Sequence, residues 1–356
     1  MASVIKRLHV GGDETRLLTF ARCVDETAVE HVVVVVNPTD QERDSRIGVM
    51  LQHYRDTGVD VVTLDNEVLE PHHRRGPGEI ADAASVLRRL TAIFSERQID
   101  VVDGRLEFGT VFGLAAGKLA GVPVVVSTGY SPEYWRSVAR YPLGQLVFSS
   151  LDALITDAMA TVRDYDRWRI SRHARLILIP NGIHPAVPAR PRDEMRAVLG
   201  LRPDAHVVGQ VARMIPRKGY DVLIRAARHV VDREPDTAFL LCGFAENPGY
   251  VRRLREMATS LSLEGHVTIT SYQGPIGDVL GAIDVFAHLS RFDSSPIAVH
   301  EAMSAALPAV VSDVGGTPEL VDDGVTGLLV PAGDSGAAAE GLLRLLRDPE
   351  LSRRLG

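Results

Sequence analysis

Cysteine is almost missing from this chain of 356 residues. Only Cys23 and Cys242 are present, so no disulfide framework is possible beyond one bridge. Basic residues are not in excess: 39 Lys and Arg face 46 Asp and Glu, a formal charge of −7. Nothing in that balance asks for nucleic acid. Long hydrophobic runs are absent too. No pure apolar run exceeds the length of Val32 to Val36, whereas an integral membrane segment needs about 20 residues. The stretch Met1 to Val10 carries Lys6, Arg7 and His9 and lacks the apolar core of a signal peptide. No G-x-G-x-x-G follows a first strand with an acidic residue downstream, which argues against a plain NAD-dependent dehydrogenase. There is no Asp-x-Asp pair in a loop suited to a metal, and His72-His73 has no spaced third ligand nearby. These absences predict a cytoplasmic protein of a reducing compartment, with no metal and no cofactor.

What is present is alternation. The β-branched runs HVVVVVN (31–37), VDVVTLD (59–65), IDVVDGR (99–105) and VPVVVST (122–128) read as strands buried on both faces, as in parallel sheets. A weaker strand is expected over 4–10, and two more over 151–158 and 174–183. Helical stretches over 44–57, 79–97 and 108–120 separate them. Prolines then cluster at Pro180, Pro185, Pro188, Pro191 and Pro203. The alternation restarts with strands over 206–212, 238–244, 266–272, 284–290, 307–313 and 327–333. The length suggests two domains. The expected fold class is α/β, with two tandem Rossmann-like, doubly wound parallel-sheet domains: 1–184, a linker over 185–204, and 205–356. Ligands in such folds bind outside the carboxyl ends of the strands, so the two halves are expected to face a shared cleft.

The stretch from Arg291 to Met303 gathers the most chemistry. Asp293 and Glu301 lie eight positions apart. Proline is favoured at the first helical position, so Pro296 is expected to open a helix whose free N–H groups and partial positive charge suit a phosphate. At helical rise the two carboxylates span on the order of 12 Å, roughly the distance from ribose to sugar in a nucleotide-diphosphate sugar. An N-capping region with a solvent-facing glutamate fits the window equally well. Arg213 and Lys218 follow the first strand of the second half, in VARMIPRKGYDVLIRA (211–226), and cations there could neutralise a diphosphate. Arg217 between them reads as solvent-facing. Gly11-Gly12 is a turn before a helix, and glycine there lets backbone approach a ligand. Gly315-Gly316 is a strand-end turn that either walls a pocket or simply turns the chain. Asn181-Gly182 reads as a turn. The charged loop 66–78, with His72, His73, Arg74 and Arg75, reads as solvated.

Four segments together resemble the retaining nucleotide-sugar glycosyltransferases of the GT-B fold, group 1 or family 4 type. They are IPNGI (179–183), VARMIPRKGYDVLIRA (211–226), the stretch 293–321 (Asp293 and Ser294, then SPIAVHEAMSAALPAVVSDVGGTPELV) and DGVTGLLVPAGD (323–334). The first half matches more loosely, through GGDET (11–15). The resemblance implies a retaining hexosyltransferase-type glycosyltransferase, EC 2.4, that moves sugar by front-side displacement without metal. It implies a nucleotide-diphosphate sugar as co-substrate and a small-molecule, glycan or lipid-linked acceptor. Glu301 would hold the donor ribose and Asp293 would sit near hydroxyls of the transferred sugar. Arg213 and Lys218 would hold the diphosphate, helped by amides of Gly12, Ile297 and Ala298, with Gly316 lining the donor pocket. The first acid is normally Glu; here it is Asp, one methylene shorter. Many relatives also carry a histidine after the fourth strand, where this chain reads STGY (127–130), so Ser127, Thr128 or Tyr130 would have to substitute. A catalytically silent, nucleotide-sugar-binding relative is the alternative. Alanine at Arg213 or Lys218 is expected to remove transfer and leave the fold intact. Arg, Ala, Val and Asp richness with little Lys points to a bacterial origin.

Overall fold

The computed structural model describes the chain except residues 7, 9–10, 37–44, 65–76, 130–141, 170–173 and 246. The charged residues His72, His73, Arg74 and Arg75, and Tyr130, lie outside the described residues. The chain divides into two compact units, Met1–Gly182 and Ile183–Gly356.

The first unit holds a seven-stranded sheet of β1 (Ala2–Ile5), β2 (Val32–Val35), β3 (Asp60–Thr63), β4 (Val101–Arg105), β5 (Val124–Thr128), β6 (Ala153–Thr156) and β7 (Arg175–Leu178). Every pairing is parallel, in the order β3-β2-β1-β4-β5-β6-β7. The valine run explains itself: Val32 to Val35 are all buried because helices cover both faces of a parallel sheet. The first strand ends at Ile5, earlier than the predicted span over 4–10.

The second unit holds β8 (His206–Val211), β9 (Thr237–Cys242), β10 (Val267–Thr270), β11 (Val285–His288), β12 (Ala309–Ser312) and β13 (Leu328–Val330). They form a six-stranded parallel sheet in the order β10-β9-β8-β11-β12-β13. Two apolar clusters fill its two faces, one around Val208, Leu223, Phe239 and Leu342, the other around Val207, Leu240, Phe286 and Val299. Adjacent residues of β8 therefore point into opposite layers, as a buried parallel strand requires.

The proline-rich stretch behaves differently from a linker. It contains a helix, Arg192–Val198, whose Met195 is fully buried among residues of the second unit. Arg196 donates to the carbonyls of Ala205 and Ala282 and to Asp284 Oδ2, and the amides of Ala189 and Arg190 donate to Asp278 Oδ1 at 2.6 and 3.0 Å. The buried arginine and aspartate fasten this stretch to the second domain.

Candidate functional site

In both sheets the strand order reverses between the first strand and the fourth, at β1/β4 and β8/β11. Ligands in open α/β sheets bind outside the carboxyl ends of the strands at such a switch point. The second unit brings its predicted residues together there.

After β8 the chain makes a short 3-10 turn, Pro216–Lys218, and then Gly219 adopts a left-handed conformation with φ 68° before the helix Tyr220–Val231. A side chain at Gly219 would place its Cβ 1.8 Å from the carbonyl oxygen of Leu289, so glycine lets the β8 loop lie against the end of β11. Gln210, fully buried, locks that contact: its Nε2 donates to the Lys218 carbonyl at 2.6 Å and its Oε1 accepts from Leu289 N–H at 3.2 Å. The Arg217 carbonyl accepts from Arg291 N–H and Ser290 Oγ. Arg217 itself is half-buried, not solvent-facing as its sequence position suggests, because this docking draws the loop inward.

Lys218 and Asp293 meet across this junction. Lys218 Nζ lies 2.7 and 2.8 Å from the two carboxylate oxygens of Asp293. His288, the last residue of β11 and fully buried, places Nε2 2.7 Å from Asp293 Oδ2. Burial alone would raise the Asp293 carboxyl; the Lys218 ammonium and the His288 hydrogen bond overcome it and hold the group well below the usual carboxylate range. Arg213 is close enough to act on the Lys218 charge. Sequence patterning assigns no role to His288, which has the spacing of any other strand position. Its one signal is a lone imidazole closing that strand, five residues before the acid.

The helix of the motif runs from Ile297 to Ser304, with Pro296 as its N-cap rather than its first residue. Pro296 has ψ 118°, an extended value outside the helical region. Only Ile297 to Glu301 are helical between the two acids, so the spacing at helical rise does not describe their separation. The N–H groups of Ile297 and Ala298 have no acceptor within the helix, and no side chain caps it. Glu301 sits in the second turn, half-buried, and no described residue pairs with its carboxylate. Burial pushes that carboxyl up to about 7.

Gly315 and Gly316 press on the same aspartate. Gly315 has φ 55°, and a Cβ there would fall 1.8 Å from the Asp293 carbonyl oxygen. Gly316 N–H donates to that oxygen at 3.2 Å. The turn therefore supports the acid's backbone, which makes Gly315 as significant as the predicted Gly316.

In the first unit Gly12 opens the helix Gly12–Cys23 and is exposed, with no side-chain cap. Beside it lies a buried network that sequence spacing does not reveal. Arg105 Nε donates to Asp103 Oδ2 at 2.7 Å and its NH1 to Asp13 Oδ1 at 3.1 Å, while Thr128 Oγ1 donates to Asp103 Oδ1 at 2.6 Å. Ser127 shares a hydrogen with Thr110 at 2.6 Å. Ser127 and Thr128 are thus engaged inside the fold and do not stand in for a histidine. Asn181 donates to Asp157 Oδ2 at 3.1 Å, and Arg16 pairs with the same oxygen at 2.6 Å; the segment around Asn181-Gly182 is extended, not a turn. Among the described residues no group of three or more His, Cys, Asp or Glu is arranged to hold a metal ion, and no helix is long and apolar enough to cross a membrane.

Comparison with known proteins supports the same division. The family described as "Glycosyl transferases group 1" matches residues 191–356, and the "Glycosyl transferase 4-like domain" matches residues 11–182. A UDP-Gal:alpha-D-GlcNAc-diphosphoundecaprenol alpha-1,3-galactosyltransferase of Escherichia coli is 26% identical over 77% of this chain and 73% of that protein. A GDP-mannose-dependent alpha-(1-6)-phosphatidylinositol monomannoside mannosyltransferase of Mycolicibacterium smegmatis is 31% identical over 76% of this chain and 74% of its own length. The crystal structure of Anabaena Alr3699/HepE in complex with UDP and glucose superposes with a TM-score of 0.81 at 21% identity, covering 99% of this chain and 91% of that one, which establishes the two-domain Rossmann-like fold. The chain belongs to the group 1 glycosyltransferases, enzymes of glycosyl transfer.

Proposed function

We propose that this enzyme moves a hexosyl group from a nucleoside-diphosphate sugar to a hydroxyl acceptor, with retention of configuration and without a metal. The observation that carries this reading is Glu301: a half-buried carboxylate, unpartnered among the described residues, in the second turn of a helix whose first amides are free of intrahelical bonds. A buried carboxylate without partners is costly, and ribose hydroxyls are donors of the right kind to satisfy it. The amides of Ile297 and Ala298 then meet the diphosphate, with Arg213 and Lys218 completing the cradle and Gly316 beside it. An ammonium has three donors; Asp293 takes two from Lys218, leaving one for a phosphate oxygen. Asp293 serves the transferred sugar.

Catalysis in this reading comes mainly from stabilising the departing diphosphate by Arg213, Lys218 and the helix N-terminus. A phosphate oxygen of the leaving group takes the acceptor proton, so no side chain acts as general base. The acceptor is a small molecule, glycan or lipid-linked alcohol, the last being the class named for the Escherichia coli relative. Both cysteines are free thiols and both quoted relatives are bacterial, in keeping with a bacterial cytoplasmic enzyme.

The test is a thermal-shift and calorimetric screen of UDP, GDP, ADP and dTDP, followed by donor turnover with the matching sugar nucleotides in EDTA. Binding of one diphosphate, EDTA-resistant turnover and release of the donor's own anomer, read by proton NMR, are expected. Loss of turnover in EDTA refutes the metal-free mechanism, an inverted anomer refutes retention, and binding without any turnover marks a silent relative. Arg213→Ala is expected to lower turnover by about 100-fold or more, the scale of removing a charge-stabilising donor; normal turnover would displace Arg213 from the diphosphate.

A further inference from the structure

We propose that His288 is a positioning residue for sugar transfer: its neutral imidazole, protonated on Nε2, fixes the orientation of Asp293 and so sets how this shortened acid meets the sugar. The proposal rests on the donor-site reading above.

The tautomer follows from the partners. A carboxylate only accepts hydrogen bonds, and Nε2 lies 2.7 Å from Asp293 Oδ2, so the proton is on Nε2. Nδ1 is buried with no hydrogen-bond partner among the described residues. Protonating it would leave a buried N–H unsatisfied, which is costly. The ring is therefore neutral, and it is held rigidly on the last residue of β11, with the Phe286 ring aligned alongside at 6.4 Å between centroids.

Asp293 needs such a guide. Its backbone is fastened by Gly316 N–H and the close approach of Gly315. Its side chain has two partners, Lys218 and His288. Lys218 carries its charge on a flexible four-carbon stem and would follow the carboxylate wherever it turned. His288 has no such freedom. It occupies one site on Oδ2 and Lys218 occupies one on each oxygen. The carboxylate's remaining capacity is turned toward the side of Oδ1, and that is the acceptor left for a sugar hydroxyl.

The experiment compares His288→Leu, which keeps volume and removes the donor, with His288→Gln, which restores an N–H near Nε2. Partners that orient functional groups typically carry 10–100-fold in activity. For Leu we expect kcat for donor turnover to fall by that factor while calorimetric affinity for the best-binding nucleoside diphosphate stays within about threefold, because the nucleotide lacks the sugar that Asp293 serves. For Gln we expect kcat within about fivefold of wild type. Equal kcat for Leu and wild type, or equal losses in Leu and Gln, overturns the proposal; a purely structural histidine would lower Tm without separating the two variants. A second readout does not depend on turnover. In 15N-histidine-labelled protein the signal lost in His288→Gln should report a neutral ring protonated on Nε2, and it should shift in Asp293→Asn. A ring charged at neutral pH, or protonated on Nδ1, refutes the assignment. If wild type neither binds nor turns over any nucleotide sugar, the donor-site reading fails, and the NMR result alone decides whether His288 holds Asp293.

Discussion

Glu301 ties stability, protonation and binding into one measurement. Its carboxyl is raised from 4.5 to about 7 by burial, so the folded protein favours the protonated acid more than the unfolded chain does. The associated stability is therefore fully present below pH 4.5 and is lost as the pH rises through about 7. By pH 8 the folded protein holds an ionised, half-buried carboxylate with no cation paired to it among the described residues. Moving a carboxyl over that interval is worth on the order of 3 kcal/mol, an upper figure because solvent still reaches the residue. Glu301→Gln should therefore be more stable than wild type at pH 8, by about 1–3 kcal/mol, and equal to it near pH 4.5. Urea unfolding at a series of pH values reads this directly, and the variant should lack the wild-type decline between pH 5 and 8. Binding should run the other way. Ribose hydroxyls donate to the ionised form, so nucleoside diphosphate binding at pH 6.5 should release protons, visible as a dependence of the calorimetric heat on buffer ionisation enthalpy. The variant should lose that release and weaken by about 10-fold, the worth of a charged hydrogen bond at roughly 1.5–3 kcal/mol. A variant no more stable than wild type at pH 8 would refute the burial argument. Unchanged affinity with no change in proton release would refute the ribose role.

The remaining predictions concern the ion pair and its supporting turn. Lys218 and Arg213, expected from sequence to be equally dispensable for folding, are not equivalent: Lys218 compensates a buried carboxylate. Lys218→Met should cost about 3–5 kcal/mol in urea unfolding because it strands Asp293, and Lys218→Met with Asp293→Asn should recover much of it; equal losses in single and double variants would show that the pair is not coupled. Gly315→Ala should lose at least about 1–2 kcal/mol from its left-handed backbone and a further ~1–3 kcal/mol from overpacking on the Asp293 carbonyl. Gly324→Ala, at φ 75° with open space around it, should show the first cost alone, and matching losses in the two would remove the packing argument.

How much of this is legible in the sequence follows from which contacts are local. The valine-rich runs announce buried parallel strands because short runs of β-branched side chains pack well on a sheet covered on both faces, and the seven strands and the six are readable without knowing any pairing. Within the motif, local chemistry misleads by one residue: Pro296 suits the first turn, yet its extended ψ makes it the cap and starts the helix at Ile297. The decisive contacts are remote. Lys218 and Asp293 are 75 residues apart, and Arg105 and Asp13 are 92; each pair meets because its two loops leave neighbouring strands at the point where the strand order reverses. That order is a property of the sheet, so residue spacing can nominate Lys218 and Asp293 separately but cannot join them. The same limit hides His288. In DVFAHLS an imidazole has the same spacing as any buried strand residue, and only the neighbouring β8 loop, arriving with its lysine, turns it from a core position into the partner of an acid. The buried polar residues at a switch point are thus the ones whose roles a one-dimensional pattern is least able to assign, and Gln210, which bridges Lys218 and Leu289 from inside β8, belongs with His288 for the same reason.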